Sequence, residues 1–378
     1  MPSISKRSRV HKHSTSHIFQ QWSWRCRTDR DRNSTKMLRP GKRTREPKAM
    51  SDPWAAIRPI LEQHGTSTSV EEFHRQVNLH FHAVESRVYD TVHREMWDSL
   101  PAQFQLLAQD VLPLVPPARD LRVLDIGCGT GLSTDLLLKS TLGPLISDVC
   151  LLDTSKEMLN RALARSTTWG VRVESRIGIV SDLPIEQYDI VIACSVLHHI
   201  PFLADFLVEI ASRQGHGGVL LHLQDPNGDY LSDPQFLDRC EELRRVDEAN
   251  VPSKTTKLLR RWNPIRLANR ILSGPPPDYI AAVNQSLTDA GILRAPLSEE
   301  QIWTITDIHD APDQSAGISL REMREWLDSY DIISARSYGF FGRLASRLPE
   351  SFARREIALR EGGAPNGHFL GAAWRKKN

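Results

Sequence analysis

The sequence predicts a doubly wound α/β fold, in which helices cover both faces of a largely parallel sheet. From residue 120 onwards, short and mostly apolar runs alternate with stretches of helical period. Strands of a parallel sheet are buried on both faces, so they read as nearly continuous apolar runs. The first run leads directly into three alternate glycines and then a helical stretch. Because ligands bind beyond the carboxyl ends of such strands, we expect the functional site there.

The individual elements of the sheet follow from this alternation. The apolar runs predict strands at 121–126, 149–152, 171–177, 189–194 and 218–223, with helices at 132–139 and 155–165. A helix at 320–327 and strands near 332–340 and 368–374 are expected to follow. Together these runs predict a seven-stranded sheet with one antiparallel strand near its edge.

Helical segments precede and interrupt the sheet. An apolar stripe predicts one helix over about 70–100, and Pro101 is expected to begin another. Amphipathic stretches near 235–246, 253–262 and 279–290, with Pro275-Pro-Pro between the last two, predict a helical insertion. The predicted organisation is a disordered basic tail (1–49), a helical cap (50–119), a core (120–225), a helical insertion or lid (226–318), and a helix with strands that completes the sheet (319–378).

Charge is unevenly distributed along the chain. The first fifty residues hold 14 Lys and Arg against 3 Asp and Glu, whereas the rest holds 34 against 43. A mitochondrial presequence, a basic arm for nucleic acid or a membrane, and a plain solvated tail all fit the first segment. We favour the tail, since Met37 and Met50 could each begin a chain. The acidic remainder is unlike a nucleic-acid footprint.

Other compositional features exclude several classes of protein. The five cysteines are widely spaced and form no CxxC pair, so neither a disulfide framework nor a metal site is predicted. No apolar run approaches the ~20 residues of a membrane span, and no signal-peptide core is present. We therefore expect a cytoplasmic protein without a membrane partner.

The strongest motif is the glycine-rich run from Val123 to Gly131. Glycines there permit a tight turn and a close approach of the backbone to a ligand, and the following helix start favours a carboxylate. A dinucleotide fingerprint would need its third glycine at position 132, which is Leu132. Asp153 ends the second strand run, and a carboxylate beside the glycine loop can accept hydrogen bonds from ribose hydroxyls.

A third motif follows in the right order, Ser181-Asp-Leu-Pro and then Tyr188 to Ile200, which ends in Leu-His-His-Ile. Together the three motifs resemble the class I S-adenosylmethionine-dependent methyltransferases of the small-molecule type, over about residues 120–225. The resemblance implies their Rossmann-like fold and S-adenosyl-L-methionine as the cofactor.

The resemblance also implies which residues bind this cofactor. Asp125 and the glycine loop are expected at its methionine end, Asp153 and the residues after it at the ribose, Asp182 and Leu183 at the adenine, and Cys194 below the methyl group. The full expected set is Asp125, Gly127, Cys128, Gly129, Gly131, Asp153, Thr154, Met158, Asp182, Leu183 and Cys194. The chain departs from many members at Ile179, where they place an acidic residue.

Two histidines are the candidate catalytic residues. His199, beside His198, follows the fourth strand and is either a general base or a hydrogen-bonded loop residue. His222 ends the fifth strand near Asp225, but a three-residue separation on an extended strand predicts opposite faces.

Two further groups of polar residues are interpreted as structural. His82 and Glu85 share a helix face that His80 does not, so we interpret them as a solvated or lid-facing surface. Residues 307–310, Asp-Ile-His-Asp, are interpreted as a polar loop.

The predicted function is methyl transfer to an O, N or C atom of a small molecule enclosed by the cap. Two alternatives stay open. One is a binding or regulatory protein that has lost turnover, and the other is an RNA or protein methyltransferase. The second is disfavoured because no Asn-Pro-Pro-Tyr-type motif follows the fourth strand. The sequence makes no prediction of the oligomeric state.

Overall fold

The structure, a computed structural model, describes residues 52–64, 68–115, 120–249, 279–309 and 317–377. The chain divides into two units, Met1–Lys42 with Cys240–Pro277, and Arg43–Arg239 with Asp278–Asn378. The described part of the first unit is the helical segment 240–249, where Arg244 pairs with Glu241 and Glu248. The expectations for the tail, for 253–262 and for the prolines at 275–277 lie outside the described residues. The elements described below belong to the second unit, except that the helix Pro234–Ala249 ends in the first.

The predicted seven-stranded doubly wound sheet is confirmed. The strands are β1 (Leu121–Ile126), β2 (Ile146–Asp153), β3 (Arg172–Ile177), β4 (Tyr188–Cys194), β5 (Gln214–Pro226), β6 (Tyr330–Tyr338) and β7 (Phe369–Lys376). Their order is β3-β2-β1-β4-β5-β7-β6. β7 runs antiparallel to both of its neighbours, and the other pairs are parallel. The strand order reverses between β1 and β4, the crevice where such folds bind ligands.

The helices lie before, between and after these strands. They are α1 (Arg58–His64), α2 (Val70–Glu85), α3 (Tyr89–Val92), α4 (Arg94–Val111), α5 (Leu132–Leu138), α6 (Lys156–Ser166), α7 (Leu203–Ser212), α8 (Pro234–Ala249), α9 (Tyr279–Asp289), α10 (Glu299–Thr306), α11 (Leu320–Trp326) and α12 (Glu350–Glu361). Short 3-10 turns include Leu197–His199, directly after β4. Among the described residues, no helix combines the length and apolar character needed to cross a membrane.

Two apolar cores form on the two faces of the sheet because successive strand residues point to opposite sides. Val123 joins the core beneath α4, α5 and α6, and the next residue, Leu124, joins the core beneath α7 and α11. Burial on both faces explains why the strands read as apolar runs. The layered architecture is thus dictated by strand composition.

The helical cap departs from prediction at one point. Residues 70–100 do not form one helix, because α2 ends at Glu85 and the chain turns before α4 begins at Arg94. Pro101 lies inside α4 rather than at its start. The turn brings His93 back to Glu85, with their side chains 3.0 Å apart. The helical pattern of the sequence is therefore interrupted where Glu85 and His93 form a buried contact.

Three helices were not predicted from the sequence, namely α7, α10 and α12. The start of α10 carries a readable signal, a reciprocal capping pair between Ser298 and Gln301. The buried face of α12 consists of Phe352 and Glu356. Because one of these two residues is charged, the sequence shows no apolar stripe at helical spacing in this segment. The Glu356 carboxylate accepts hydrogen bonds from the backbone N–H groups of Gly339 and Phe340.

The N-terminal helices pack against the insertion and the site edge of the sheet. Phe81 of α2 contacts the rings of Tyr279 and Trp303 edge-on, at centroid distances of 6.0 and 5.2 Å. Asp90 of α3 accepts a hydrogen bond from the hydroxyl of Thr130 in the glycine loop. These contacts place both helical segments beside the carboxyl ends of the central strands.

Candidate functional site

The glycine loop between β1 and α5 is built from left-handed residues. Gly127, Gly129 and Gly131 have φ angles of +59°, +54° and +86°. A Cβ on Gly127 would lie 2.7 Å from Cγ2 of Val196, so this position needs glycine on two grounds. A Cβ on Gly129 would instead meet nothing within 4 Å. The loop therefore leaves open space directly above its centre.

Asp125 is a fully buried carboxylate at the end of β1. Its Oδ2 accepts hydrogen bonds from the Ser133 hydroxyl and from the hydroxyl and N–H of Thr134. Its Oδ1 is buried and has no hydrogen-bond partner among the described residues. Burial raises the pKa of Asp125 to about 6 despite those hydrogen bonds. A cationic group at Oδ1 would offset the cost of burying this charge.

Asp153 lies beside the same loop, as β2 pairs with β1. Its Oδ2 accepts from the N–H of Gly129 at 2.9 Å, and its Oδ1 accepts from the N–H of Ser155 at 2.8 Å. Burial raises the pKa of this carboxyl, and the two backbone N–H groups oppose that rise. Each oxygen keeps a second lone pair for further donors.

The other expected cofactor residues fall into two sets. Cys128, Met158, Leu183 and Cys194 are buried around the loop and the strand ends. Thr154 is exposed at the end of β2. Asp182 is also exposed, and its carboxylate accepts the N–H of Ile179, so it closes its own turn. Ile179, at the position of the family's acidic residue, is 55% exposed and offers no carboxylate.

Two strained residues lie at the ends of β4 and β5. Ser195 and Gln224 have φ angles of +61° and +65°, which L-residues rarely adopt. The backbone N–H of Gln224 donates to the hydroxyl of Tyr338, and that hydroxyl lies 3.1 Å from Oε1 of Gln224. Strain of this kind costs about 1–3 kcal/mol per residue and clusters at functional sites.

The bulge at Gln224 corrects the prediction for His222 and Asp225. The β5–β7 register shifts between Leu223 and Asp225, so the two side chains point the same way. Nδ1 of His222 lies 3.8 Å from Oδ2 of Asp225, and both residues are fully buried. The prediction of opposite faces is wrong because it assumed an unbroken strand.

Asp225 also anchors the turn after β4. Its Oδ1 lies 2.9 Å from Nδ1 of His198 and accepts the backbone N–H of the same residue at 3.3 Å. Burial alone would raise the pKa of Asp225, but His198 and His222 outweigh it and hold the pKa below its ordinary value. The carboxylate thus fixes His198 from the interior of the sheet.

His199 faces the cap. Its Nδ1 lies 2.7 Å from the carbonyl oxygen of Thr306 and 3.4 Å from Oδ1 of Asp307. A carbonyl only accepts hydrogen bonds, so Nδ1 carries the proton and Nε2 is the acceptor nitrogen. Burial, then the neighbouring His198 and His82, lowers the pKa of His199 well below its usual value. The imidazole is neutral near pH 7.

Residues 307–309 form a loop, as the sequence predicts, but Asp307 within it faces His199. His309 anchors the same segment, since its Nε2 lies 2.6 Å from the carbonyl oxygen of Ile200. Asp310 lies outside the described residues. Potential ligand atoms of His198, His199 and Asp307 lie within 4.8 Å of one another, although the sequence predicted no metal site. We interpret the cluster as hydrogen-bonded, because Nδ1 of His198 lies 2.9 Å from Oδ1 of Asp225 and Nδ1 of His199 lies 2.7 Å from the Thr306 carbonyl oxygen.

Of the two alternatives for His82 and Glu85, a solvated or a lid-facing surface, burial of Glu85 contradicts the solvated one. Glu85 is 2% exposed, with Oε2 3.5 Å from Nδ1 of His82 and Oε1 3.0 Å from Nε2 of His93. The rings of His82 and His199 meet edge-on, with centroids 5.4 Å apart. His80 turns away and contacts the hydroxyl of Ser286 through Nδ1.

Sequence reasoning missed the contributions of His93, Asp90 and Tyr338. The first two lie in the unpredicted turn between α2 and α4, and nothing local in the sequence marks them as partners of the site. Tyr338 ends a correctly expected strand, but its contact with Gln224 spans 114 positions. A tyrosine that ends a strand is the only local signal.

Comparisons with known proteins agree with this geometry. Residues 124–220 match the family model described as a methyltransferase domain. The chain is 31% identical over 149 residues to the ubiquinone biosynthesis O-methyltransferase of Xanthomonas axonopodis pv. citri (strain 306), covering 37% of this chain and 60% of the relative. The corresponding protein of Xanthomonas euvesicatoria pv. vesicatoria (strain 85-10) is 30% identical over 148 residues, with the same coverage. The chain therefore spans about three fifths of the length of these relatives.

Solved structures are similar at low sequence identity. An S-adenosylmethionine-dependent methyltransferase from Mesorhizobium loti is 14% identical, with a TM-score of 0.37, covering 71% of this chain and 96% of that one. The plantazolicin methyltransferase BpumL in complex with SAH is 13% identical, with a TM-score of 0.39, covering 82% and 99%.

Proposed function

We infer that the chain, which belongs to the class I S-adenosylmethionine-dependent methyltransferases, transfers the methyl group of this cofactor to an oxygen atom of a small molecule. The choice of oxygen is supported by the O-methyltransferase names of the curated relatives. It is also supported by the neutral imidazole of His199 at the end of β4, since a hydroxyl acceptor must lose a proton and an amine need not.

One observation carries the cofactor assignment, the unpartnered Oδ1 of Asp125 at the base of the glycine loop. The ammonium group of the methionine end supplies the cation that this buried oxygen lacks. The open space above Gly129 admits the chain of the cofactor, and a side chain there would fill it. The residues present therefore fit the group.

The remaining contacts are proposed from the same geometry. Asp153, held by two backbone N–H groups, accepts the ribose hydroxyls with its free lone pairs. Leu183 packs against the adenine as a buried apolar surface. We propose only a minor role for Asp182, because its carboxylate already closes the turn at Ile179.

The chain's own residues have two tasks in the reaction. When bound, the cofactor supplies an electrophilic methyl group on a sulfonium. The cap and the strand ends hold the acceptor oxygen in line with that methyl group and exclude water, which is mostly catalysis by proximity and orientation. His199 takes the hydroxyl proton at Nε2, while the carbonyl of Thr306 holds its ring.

In this proposal His222 does not contact the methyl acceptor. It is fully buried within β5, where it stacks near Trp374 at a centroid distance of 6.5 Å. Its Nδ1 lies 3.8 Å from the carboxylate of Asp225, so we propose that His222 has a structural role beside that carboxylate. Of the two histidines predicted to be catalytic, we therefore propose that only His199 acts in the reaction. The proposed location of the protein is the cytoplasm.

The experiment that tests this function measures release of S-adenosylhomocysteine from S-adenosylmethionine with a panel of acceptors. The panel pairs phenols, enols and hydroxy acids with their amino analogues. We expect turnover with a hydroxyl-bearing compound and a loss of at least about tenfold in kcat for His199→Gln. His216→Gln is the matched control, since His216 is exposed at the opposite end of β5 and contacts the Lys377 carbonyl.

Other outcomes would replace the proposal. The protein could bind the cofactor tightly and yet turn over no small-molecule, RNA or protein acceptor. That result would favour a regulatory protein that has lost activity. Turnover on RNA or protein alone would favour the third predicted class. Equal activity of the two histidine variants would remove His199 from the mechanism.

A further inference from the structure

Glu85 is a buried carboxylate that the proposed reaction does not use. It ends α2, and its ion-pair partners in the described part of the chain are two imidazoles, His82 and His93. An isolated buried carboxylate is costly, and it is stable here only if its partners carry charge. The arrangement therefore favours the protonated form of these two histidines.

The pKa shifts of His82, His93 and Glu85 all favour the charged forms of these three groups. Burial acts to lower the pKa of His82, but its contact with Glu85 outweighs burial, so that pKa is raised. The pKa of His93 is raised for the same reason. Burial acts to raise the pKa of Glu85, but the two imidazoles hold it below its ordinary value. Tyr89 packs on His93, with ring centroids 4.5 Å apart.

His82 is the member of this cluster that reaches the site. Its ring meets that of His199 at 85°, with the centroids 5.4 Å apart, although 117 positions separate the two residues. The titratable groups that act on it are Glu85 on its own helix, His199 after β4, Asp153 after β2 and Asp307 after α10. The two rings touch, but each side chain keeps about a fifth of its surface exposed, 23% for His82 and 22% for His199. An oxygen atom bound beside this contact would therefore meet both imidazoles.

We propose that His82 is a further catalytic residue, which donates a hydrogen bond to the acceptor oxygen beside His199, and that Glu85 is its positioning residue. This inference rests on the proposed function. His199 is a weak base because its surroundings disfavour its protonation. A cationic donor beside the base favours the ionised form of the hydroxyl and thus helps His199 to remove the proton.

The two residues predict distinct kinetic effects. His82→Gln should lower kcat at least about tenfold with little change in the KM for S-adenosylmethionine. Glu85→Gln leaves His82 in place but removes the charge that keeps it protonated. In that variant the fall of kcat at high pH should begin at lower pH than in the wild type. His80→Ala is the matched control, since His80 lies on the same helix but contacts Ser286 instead of the site.

The results separate this inference from the proposed function. Wild-type turnover with equal kcat in His82→Gln and His80→Ala would overturn the inference and leave the function standing. Absence of any turnover by the wild type would overturn both. Because Glu85 is buried, thermal unfolding of each variant is measured first.

A measurement on the unmodified protein avoids the risk of misfolding. NMR titration of the histidine Cε1 signals, assigned with His82→Gln, should show His82 titrating above its ordinary value of 6.5. The His82 signal should also shift when the hydroxyl acceptor found in the panel is added. Titration below 6.5, or no shift with the acceptor, would overturn the inference.

Discussion

The carboxylate of Asp225 lies 2.9 Å from Nδ1 of His198, across 27 positions of sequence. The contact exists because Gln224 adopts a left-handed conformation that turns Asp225 off the regular path of β5. Tyr338 on β6 holds that conformation through its hydroxyl group. The end of β4 is therefore fixed by a residue from the far edge of the sheet.

Removal of the Tyr338 hydroxyl tests this arrangement. In Tyr338→Phe the buried N–H of Gln224 loses its acceptor, at a cost of about 1–3 kcal/mol in the free energy of unfolding. We also expect a several-fold lower kcat, since Asp225 and His198 are held less firmly. Urea denaturation and the methyl-transfer assay measure the two effects. Unchanged stability would show that the bulge forms without Tyr338.

Two alanine substitutions in the glycine loop should separate binding from stability. Gly129→Ala introduces left-handed strain of about 1–2 kcal/mol, but its methyl group enters open space. We expect a small loss of stability and at least a tenfold loss of affinity for S-adenosylmethionine. Gly127→Ala adds an overlap with Val196 and should destabilise the fold more. Equal affinity of Gly129→Ala and the wild type would contradict the proposed cofactor position.

The lowered pKa of His74 predicts that the free energy of unfolding falls in acid. Burial, and to a lesser degree His309, lowers the pKa of His74 to about 4, against 6.5 ordinarily. The unfolded chain therefore binds more protons between these values, so stability is fully present above 6.5 and is lost as pH falls towards 4. The slope is at most about 1.4 kcal/mol per pH unit for one group. His74→Phe should flatten the change between pH 7 and pH 5 in urea denaturation, and an unaltered slope would refute the assignment.

Removal of metal ions should leave the protein unaffected. His198, His199 and Asp307 lie close together, but in the proposed reaction Nε2 of His199 takes the hydroxyl proton, so no metal ion is needed there. We expect turnover after dialysis against EDTA and 1,10-phenanthroline to equal that of untreated protein. Activity lost on this treatment and restored by Zn²⁺ or Mn²⁺ would contradict the hydrogen-bonding assignment.

The residues proposed to bind the cofactor are easier to bring together from the sequence than those proposed to face the acceptor. Asp125 and the loop glycines lie within a few positions of each other, and Asp153 ends the adjacent strand, so local pattern and strand order suffice. The acceptor side depends on a contact between His82 and His199 and on the bulge at Gln224. The helix ends at residue 85, where a carboxylate is buried, and a tyrosine from a distant strand contacts the bulge. Neither feature is visible in the periodicity of the chain.

Calorimetric titration with S-adenosylmethionine tests the central claim most directly. We predict that the wild type binds the cofactor, that Asp153→Ala loses at least about a hundredfold in affinity, or about 2.7 kcal/mol, and that Asp182→Ala changes it little. Asp182 is a suitable control because it is an exposed carboxylate whose hydrogen bond lies within its own turn. No binding by folded wild-type protein, or equal affinity of the wild type and Asp153→Ala, would contradict the account.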